Sequence, residues 1–309
     1  MSVDDRQQRG ERGFILILVV WLAALLALLA VAFSAAVQSN LRLASSAIQS
    51  AKAETAADAG IQLAAMALAS GGQAGAGRRL TFDGQPTFCG LGAEASLAIR
   101  VRDTGGLISL NLSNDRLLQA LFLGLGATPE AASRATDVII DYRDADSDRR
   151  PGGAEKPEYD AAGRPSGPKN APFDTVEELN QVLGLDPAMI AAASPYLTVH
   201  SQTAGLDPRA TSAGLARILA RGAALLPAKP GSRPSDDGTV PAEFVIGSPQ
   251  RVFLVTSEGH LKSGAVYVRQ AVIELQAARD ALPAVKMWKR GLAEEGGNSP
   301  SPPGPLPPC

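Results

Sequence analysis

Residues 12–40 read RGFILILVVWLAALLALLAVAFSAAVQSN, and this stretch sets the plan of the whole chain. From Phe14 to Val37 there is no charge and one clearly polar side chain, Ser34. A helix of that length rises about 35 Å, enough for a hydrocarbon layer of about 30 Å. Arg6, Arg9 and Arg12 precede it, and the first cation after it is Arg42. That asymmetry predicts a cytoplasmic N-terminus, with the bulk of the chain beyond the membrane. A cleaved secretory signal has an apolar run of about 7–15 residues, shorter than this one, although Phe33-Ser34-Ala35-Ala36 offers a cleavage-like sequence. A plain signal anchor fits both length and charge.

A third reading explains more. Arg12-Gly13-Phe14 ends a short polar leader in Gly, followed at once by Phe and the apolar run. This resembles the type IV prepilin signal, which a dedicated peptidase cuts after the Gly on the cytoplasmic side, making Phe14 the new N-terminus. The helix is expected to continue past the membrane. From Gln38 to Ser70 there is no Pro, and Gly60 is the single Gly. Apolar or small residues recur at Leu41, Ala44, Ile48, Ala51, Thr55, Asp58–Ala59 and Leu63, a helical period that predicts the buried stripe. Ser70-Gly71-Gly72 is the expected stop. Prepilin-like chains commonly carry Glu at the fifth position after the cut; here that position is Leu18.

Beyond the helix, the pattern predicts short strands at Leu80–Phe82 and Ala95–Arg102, then Leu107–Leu112 as a strand or the entry to a helix capped by Ser113 or Asn114. Helical signals dominate from Asp115 to Tyr196. Thr128-Pro129-Glu130 is a strong helix start, and Asp174 with Glu177 fits a capping box. A helix over Ser212–Ala224 follows. Strands are then expected near Phe244–Ile246, Arg251–Ser257 and Ala265–Gln276. The tail from Gly291 to Cys309, rich in Pro and Gly, is expected to be disordered. The fold class is therefore α+β: a long N-terminal helix packed on an antiparallel sheet, with an all-helical domain inserted in it. The expected divisions are a leader at 1–13, the helix at 14–70, sheet at 71–112, the inserted α-domain at 113–205, the rest of the sheet at 206–290, and the tail at 291–309.

The polar loop at 143–172 holds the clearest site signal. Asp144, Asp146 and Asp148 alternate, and Glu155 lies eleven residues after Asp144, matching positions 1, 3, 5 and 12 of an EF-hand loop with a helix before it. Oxygen ligands at this density suit Ca2+ rather than zinc. Arg149 replaces the usual Gly, Pro151 falls inside the loop, and no good helix is expected directly after Glu155. Asp141, Glu158 and Asp160 are further ligand candidates. The other reading is a solvated acidic loop balanced by Arg143, Arg149 and Arg150.

Other chemistry has little material. The formal net charge is −2, and the two histidines, His200 and His260, are isolated. Paired carboxylates for sugar hydrolysis are crowded into one loop, so no enzyme is expected. Cys89 and Cys309 can pair in an oxidising compartment or remain two separate thiols. Two segments, around Gly124-Leu125-Gly126 and Gly184-Leu185-Asp186, resemble helix–hairpin–helix units, which in DNA-binding proteins present backbone N–H groups to phosphate. The block Leu107–Gly205 carries 14 Asp/Glu against 8 Lys/Arg, the wrong sign for that use, so they are read as packing motifs with no nucleic-acid partner.

Taken in order, "RGF", "ETAADAGIQLA", "GLISLNL", "DYRDADSD", "GGAEKPEY", "FDTVEELNQVLGL", "SPYLTV" and "AVKMWKRG" resemble the general secretion pathway protein K family, the minor pseudopilins of type II secretion. The resemblance spans about residues 10–290. It implies a pilin-like sheet with a helix–hairpin–helix/SAM-like α-domain inserted, and no Glu at the fifth position. It places Gly13 and Phe14 at the cut by prepilin peptidase, and Asp144, Asp146, Asp148, Glu155 and Asp160 in a Ca2+ region. It implies a tip complex with minor pseudopilins of the I and J type, contacts with the major pseudopilin and an inner-membrane assembly platform, and a single-pass location in the lipid bilayer of the inner membrane with a periplasmic C-terminal domain. A minor pilin of a type IV pilus, or a membrane-anchored DNA-binding protein, shares parts of this pattern.

Overall fold

The computed structural model describes residues 7–71, 81–227, 238–276, 282–291 and 306–309. One helix, α1, runs unbroken from Gln7 to Ala69. It ends where Gly71 takes a positive φ of 78°, with Ser70 N donating to Met66 O and Gly71 N to Leu68 O. Strands β1 (Asp83–Leu91), β2 (Ala95–Asp103), β5 (Val252–Leu261), β6 (Val266–Glu274) and β7 (Ala284–Arg290) form one sheet in that order, antiparallel throughout. The C-terminal half of α1 lies across this sheet. Ile61, Leu68, Leu97, Ile99, Val101, Phe253, Val255 and Ile273 make their shared core.

The buried face of α1 is not the stripe expected from hydropathy. Ala53, Ala56, Ala57, Gly60, Ile61, Ala64, Ala67 and Leu68 face the sheet, whereas Leu41 and Ile48 are exposed. Closeness explains the difference. A Cβ on Gly60 would sit 2.1 Å from Ser257 Oγ, and one on Gly259 2.5 Å from Ala53 O. The crossing therefore selects mainly small residues at helical spacing, with Ile61 and Leu68 the large ones buried, while Leu41, Ile48 and Met66 stay exposed.

Between β2 and β5 the chain builds a second unit: β3 (Ile108–Ser109), α2 (Asp115–Gly124), α3 (Pro129–Arg143), α4 (Lys156–Ala161), α5 (Pro187–Ala193), β4 (Leu197–Thr198) and α6 (Ala213–Leu225). β3 and β4 pair in parallel, Ile108 with Leu197. Its core joins Leu117, Leu121, Phe122, Ile139, Tyr159, Leu179, Leu215 and Leu219. α2 is capped by Asn114, one of the two residues expected there, and α3 by Thr128, as expected.

Several expectations change. The inserted domain does not end at 205: Leu206, Leu215, Leu219, Val240 and Phe244 lie in the helical core, and the sheet resumes only at Val252. Two glycines cause this. A Cβ on Gly222 would meet Ala120 O at 1.8 Å, and one on Gly124 would meet Ile218 O at 2.0 Å, so α6 nests directly on α2. Gly124 thus serves helix packing, its carbonyl accepting from Arg221, rather than a phosphate turn. The segment near Phe244 is a 3-10 turn with a single bridge from Val245 to Leu206. Thr175 and Glu178, one residue past the expected Asp174 and Glu177, cap the turn Val176–Gln181. The first strand is β1 rather than Leu80–Phe82, and Leu80 lies outside the described residues. At the C-terminus, residues 306–309 are held against β1, contrary to the expectation for that end of the tail; residues 292–305 lie outside the described residues.

Candidate functional site

The acidic loop begins where α3 stops. Arg143, in its last turn, donates to the carbonyls of Leu110 and Ser113, and Tyr142 stacks on Phe173 with ring centroids 4.9 Å apart. These contacts fix the exit of the helix, and Asp144 is its C-cap. The loop then turns through Asp146, whose Oδ1 accepts from Asp148 N at 2.9 Å.

The return of the loop is anchored on α3. Arg150 N donates to Asp141 Oδ2 at 3.2 Å, and its guanidinium reaches Asp115 at 2.8 Å and Asp137 at 3.6 Å. Gly152 N donates to Asp137 Oδ2 at 2.9 Å. This docking delivers Glu155 to the interior, only 2 % exposed, at the start of α4. A helix therefore does follow Glu155 directly, against the sequence expectation. Glu158 makes it possible, because its Oε2 accepts from Glu155 N at 3.0 Å.

Asp144, Asp146 and Glu155 converge: each offers a carboxylate oxygen, and these oxygens all lie within 4.8 Å of one another. Asp144 Oδ1 and both oxygens of Glu155 are buried without a hydrogen-bond partner. Burial, reinforced by the charges of Asp141, Asp144, Asp146 and Glu158, pushes the Glu155 carboxyl up to about 7. Burial also raises Asp144, with Asp146 adding to it. Asp141 is wholly buried and raised mainly by burial, but its oxygens hold the loop backbone rather than joining the cluster. Three like charges gathered around unsatisfied oxygens are the arrangement a hard divalent cation stabilises. The donor set is all oxygen, so the residues present fit calcium chemistry.

Two sequence candidates stand apart. Asp148 is exposed and outside the converging group. Asp160 is exposed and pairs with Lys156 one helical turn earlier. One residue was missed. Asn170, at a positive φ of 48°, donates its N–H to Tyr142 O at 3.0 Å and its amide Nδ2 to Asp146 O at 3.1 Å, leaving Oδ1 buried and unpartnered. No motif spacing links it to the loop; an Asn before Ala171-Pro172 in a long polar segment was the only trace.

At the other end of the molecule, Gly13 and Phe14 fall within α1. From Leu16 to Phe33 the large apolar side chains are exposed by half or more, and α1 is long and apolar enough to cross a membrane.

Residues 102–202 match the family model for type II secretion system (T2SS) protein K. No curated protein matches the chain. Among solved structures, a chain of the GspK–GspI–GspJ complex from the enterotoxigenic Escherichia coli type 2 secretion system is similar in fold. The TM-score is 0.59 at 15% sequence identity, over 81% of this chain and 99% of that one. The matched segment covers most of the inserted helical unit with its acidic loop, which is similar to protein K of type II secretion, and the fold around it, a long helix packed on an antiparallel sheet, is similar to that of the chain from the GspK–GspI–GspJ complex.

Proposed function

We propose that this chain acts as a structural subunit at the tip of a periplasmic pseudopilus, assembled with other minor pseudopilins of the I and J type. The division of α1 carries this reading. From Leu16 to Phe33 it exposes only apolar side chains, and its C-terminal part is packed on the sheet largely through small residues. Such a rod rests in the bilayer and, on assembly, exchanges lipid for the helices of neighbouring subunits. Leu18 in place of a fifth-position acid removes a charge that would pair with a subunit above. Cleavage between Gly13 and Phe14 on the cytoplasmic side frees the rod. The test is N-terminal sequencing of the mature chain, together with co-purification with its I- and J-type partners. A mature N-terminus other than Phe14, or cleavage undiminished in Gly13→Ala, overturns the processing; no association with such partners overturns the assembly role.

Calcium is the proposed ligand of the acidic loop, held by Asp144, Asp146 and Glu155 with Asn170 Oδ1 as a neutral neighbour. The unsatisfied oxygens support it. When bound, the ion supplies positive charge that ties the end of α3 to the start of α4. The chain's own part is positional. Arg150 and Gly152 press the loop onto α3, and Asn170 braces it from the far side. Calcium titration should raise the melting temperature of the chain; no change at millimolar calcium removes the proposal.

A further inference from the structure

The end of the chain sits at the opposite edge of the sheet from the strand that precedes it. β7 forms one edge, and Gly291, just after it, donates to Val268 O on β6. Yet the last four residues lie along β1, the other edge. Gly90 N donates to Pro307 O at 2.8 Å, Cys309 N donates to Gly90 O at 3.1 Å, and Pro308 bridges Gly90 in parallel. Cys309 is bonded to Cys89 across a sequence separation of 220. Cys89 is buried in the core shared by α1 and the sheet, and Cys309 packs against the same cluster. These are the only two cysteines of the chain.

An edge strand presents unpaired backbone groups that recruit other strands, and proteins cover such edges. Here the chain's own terminus occupies the β1 edge at Gly90, and a covalent bond keeps it there. Two backbone hydrogen bonds alone hold so short a segment weakly, because it opens locally at little cost.

We propose that Cys89 and Cys309 form an oxidation site on the exported side of the membrane, whose product clasps residues 306–309 over the β1 edge. The reaction partner is a protein disulfide oxidant. The Cys309 thiolate, less buried than Cys89, attacks one sulfur of the oxidant's disulfide and expels the other as a thiolate. The Cys89 thiolate then displaces the oxidant from Cys309. Two thiols lose two protons and two electrons in all, and the oxidant's disulfide becomes a dithiol. The site rests on the exported orientation of the domain, since cytosolic thiols stay reduced.

The full chain, taken from membranes in detergent with thiols blocked during lysis, tests this. Peptide mapping without reductant is expected to show residues 89 and 309 linked. After reduction, and equally in Cys309→Ser, amide hydrogen exchange in peptides spanning Phe88–Leu91 should quicken by about tenfold or more, while α2 stays unchanged. Both cysteines alkylated without prior reduction would overturn the proposal, as would exchange at β1 that reduction leaves alone. A link that glutathione disulfide forms in the purified chain, but that chain from cells lacks, also overturns it; it locates the failure in the exported orientation rather than in the β1 contact.

Discussion

The backbone of Gly153 passes so close to the carboxylate of Asp141 that a Cβ on the glycine would sit 1.9 Å from Oδ2. This contact decides how the acidic loop comes home to α3, because Arg150, Gly152 and Gly153 together lay it on Asp137 and Asp141 just before Glu155 turns inward. In Gly153→Ala the loop must lift. We expect a loss of about 1–3 kcal/mol, the range for disturbing a buried polar contact, and a weakened melting response to calcium, both read by thermal unfolding with and without the ion.

Glu155 contributes a pH dependence to the calcium-free chain between its ordinary and its folded value. Its ordinary value is 4.5, and in the folded chain it is pushed up to about 7. Between those values the folded chain keeps a proton that the unfolded chain releases. The stability from this group is therefore complete below about 4.5 and is lost as pH rises through about 7. With chelator present, the melting temperature should fall across that window. Millimolar calcium should reverse the trend, because the ion favours the charged carboxylates. A flat profile in chelator would contradict the buried, unpartnered state of Glu155.

Substitution within the loop separates members from bystanders. Glu155→Gln removes one of three converging charges, so the calcium-free chain should melt higher at pH 8 while the calcium response disappears. Asp148→Asn and Asp160→Asn should keep that response, because neither side chain joins the cluster. Isothermal titration on the three variants reads the difference directly.

The crossing of α1 over β5 offers a paired test. Gly60→Ala places a methyl 2.1 Å from Ser257 Oγ, and overpacking of this kind costs about 1–3 kcal/mol. Ser257→Gly vacates the space, so the double variant should recover most of the loss. Failure of the second change to rescue the first would mean that the helix does not lie where described.

Much of this architecture is written locally. Thr128 before Pro129 begins α3, Asn114 begins α2, and the uncharged run from Phe14 needs no context to be a long helix. Of the acidic candidates, Asp144, Asp146 and Glu155 converge; the first two are neighbours in one turn, whereas Glu155 arrives through the docking of Arg150 and Gly152 on α3. The remainder depends on contacts between distant segments. Asn170 reaches the loop only because its own backbone turns left-handed. The face of α1 that packs is chosen by Gly60 and Gly259 at close approach, which hydropathy does not record. The placement of α6 follows from Gly124 and Gly222, whose lack of side chains carries no periodic signal. The cysteines left two options open, and the choice between them comes from the β1 edge that draws the chain end to Gly90.

The helical unit leaves the sheet after Asp103 and re-enters at Val252, and Asp103 is paired across strands with Phe253. Departure and return are thus neighbouring rungs of one ladder, so the whole excursion is grafted onto what would otherwise be an ordinary hairpin. Excising it and closing the gap with a tight turn asks no other strand to change partner. Such an appendage can change in size while the long helix and the five-stranded sheet keep their pairing.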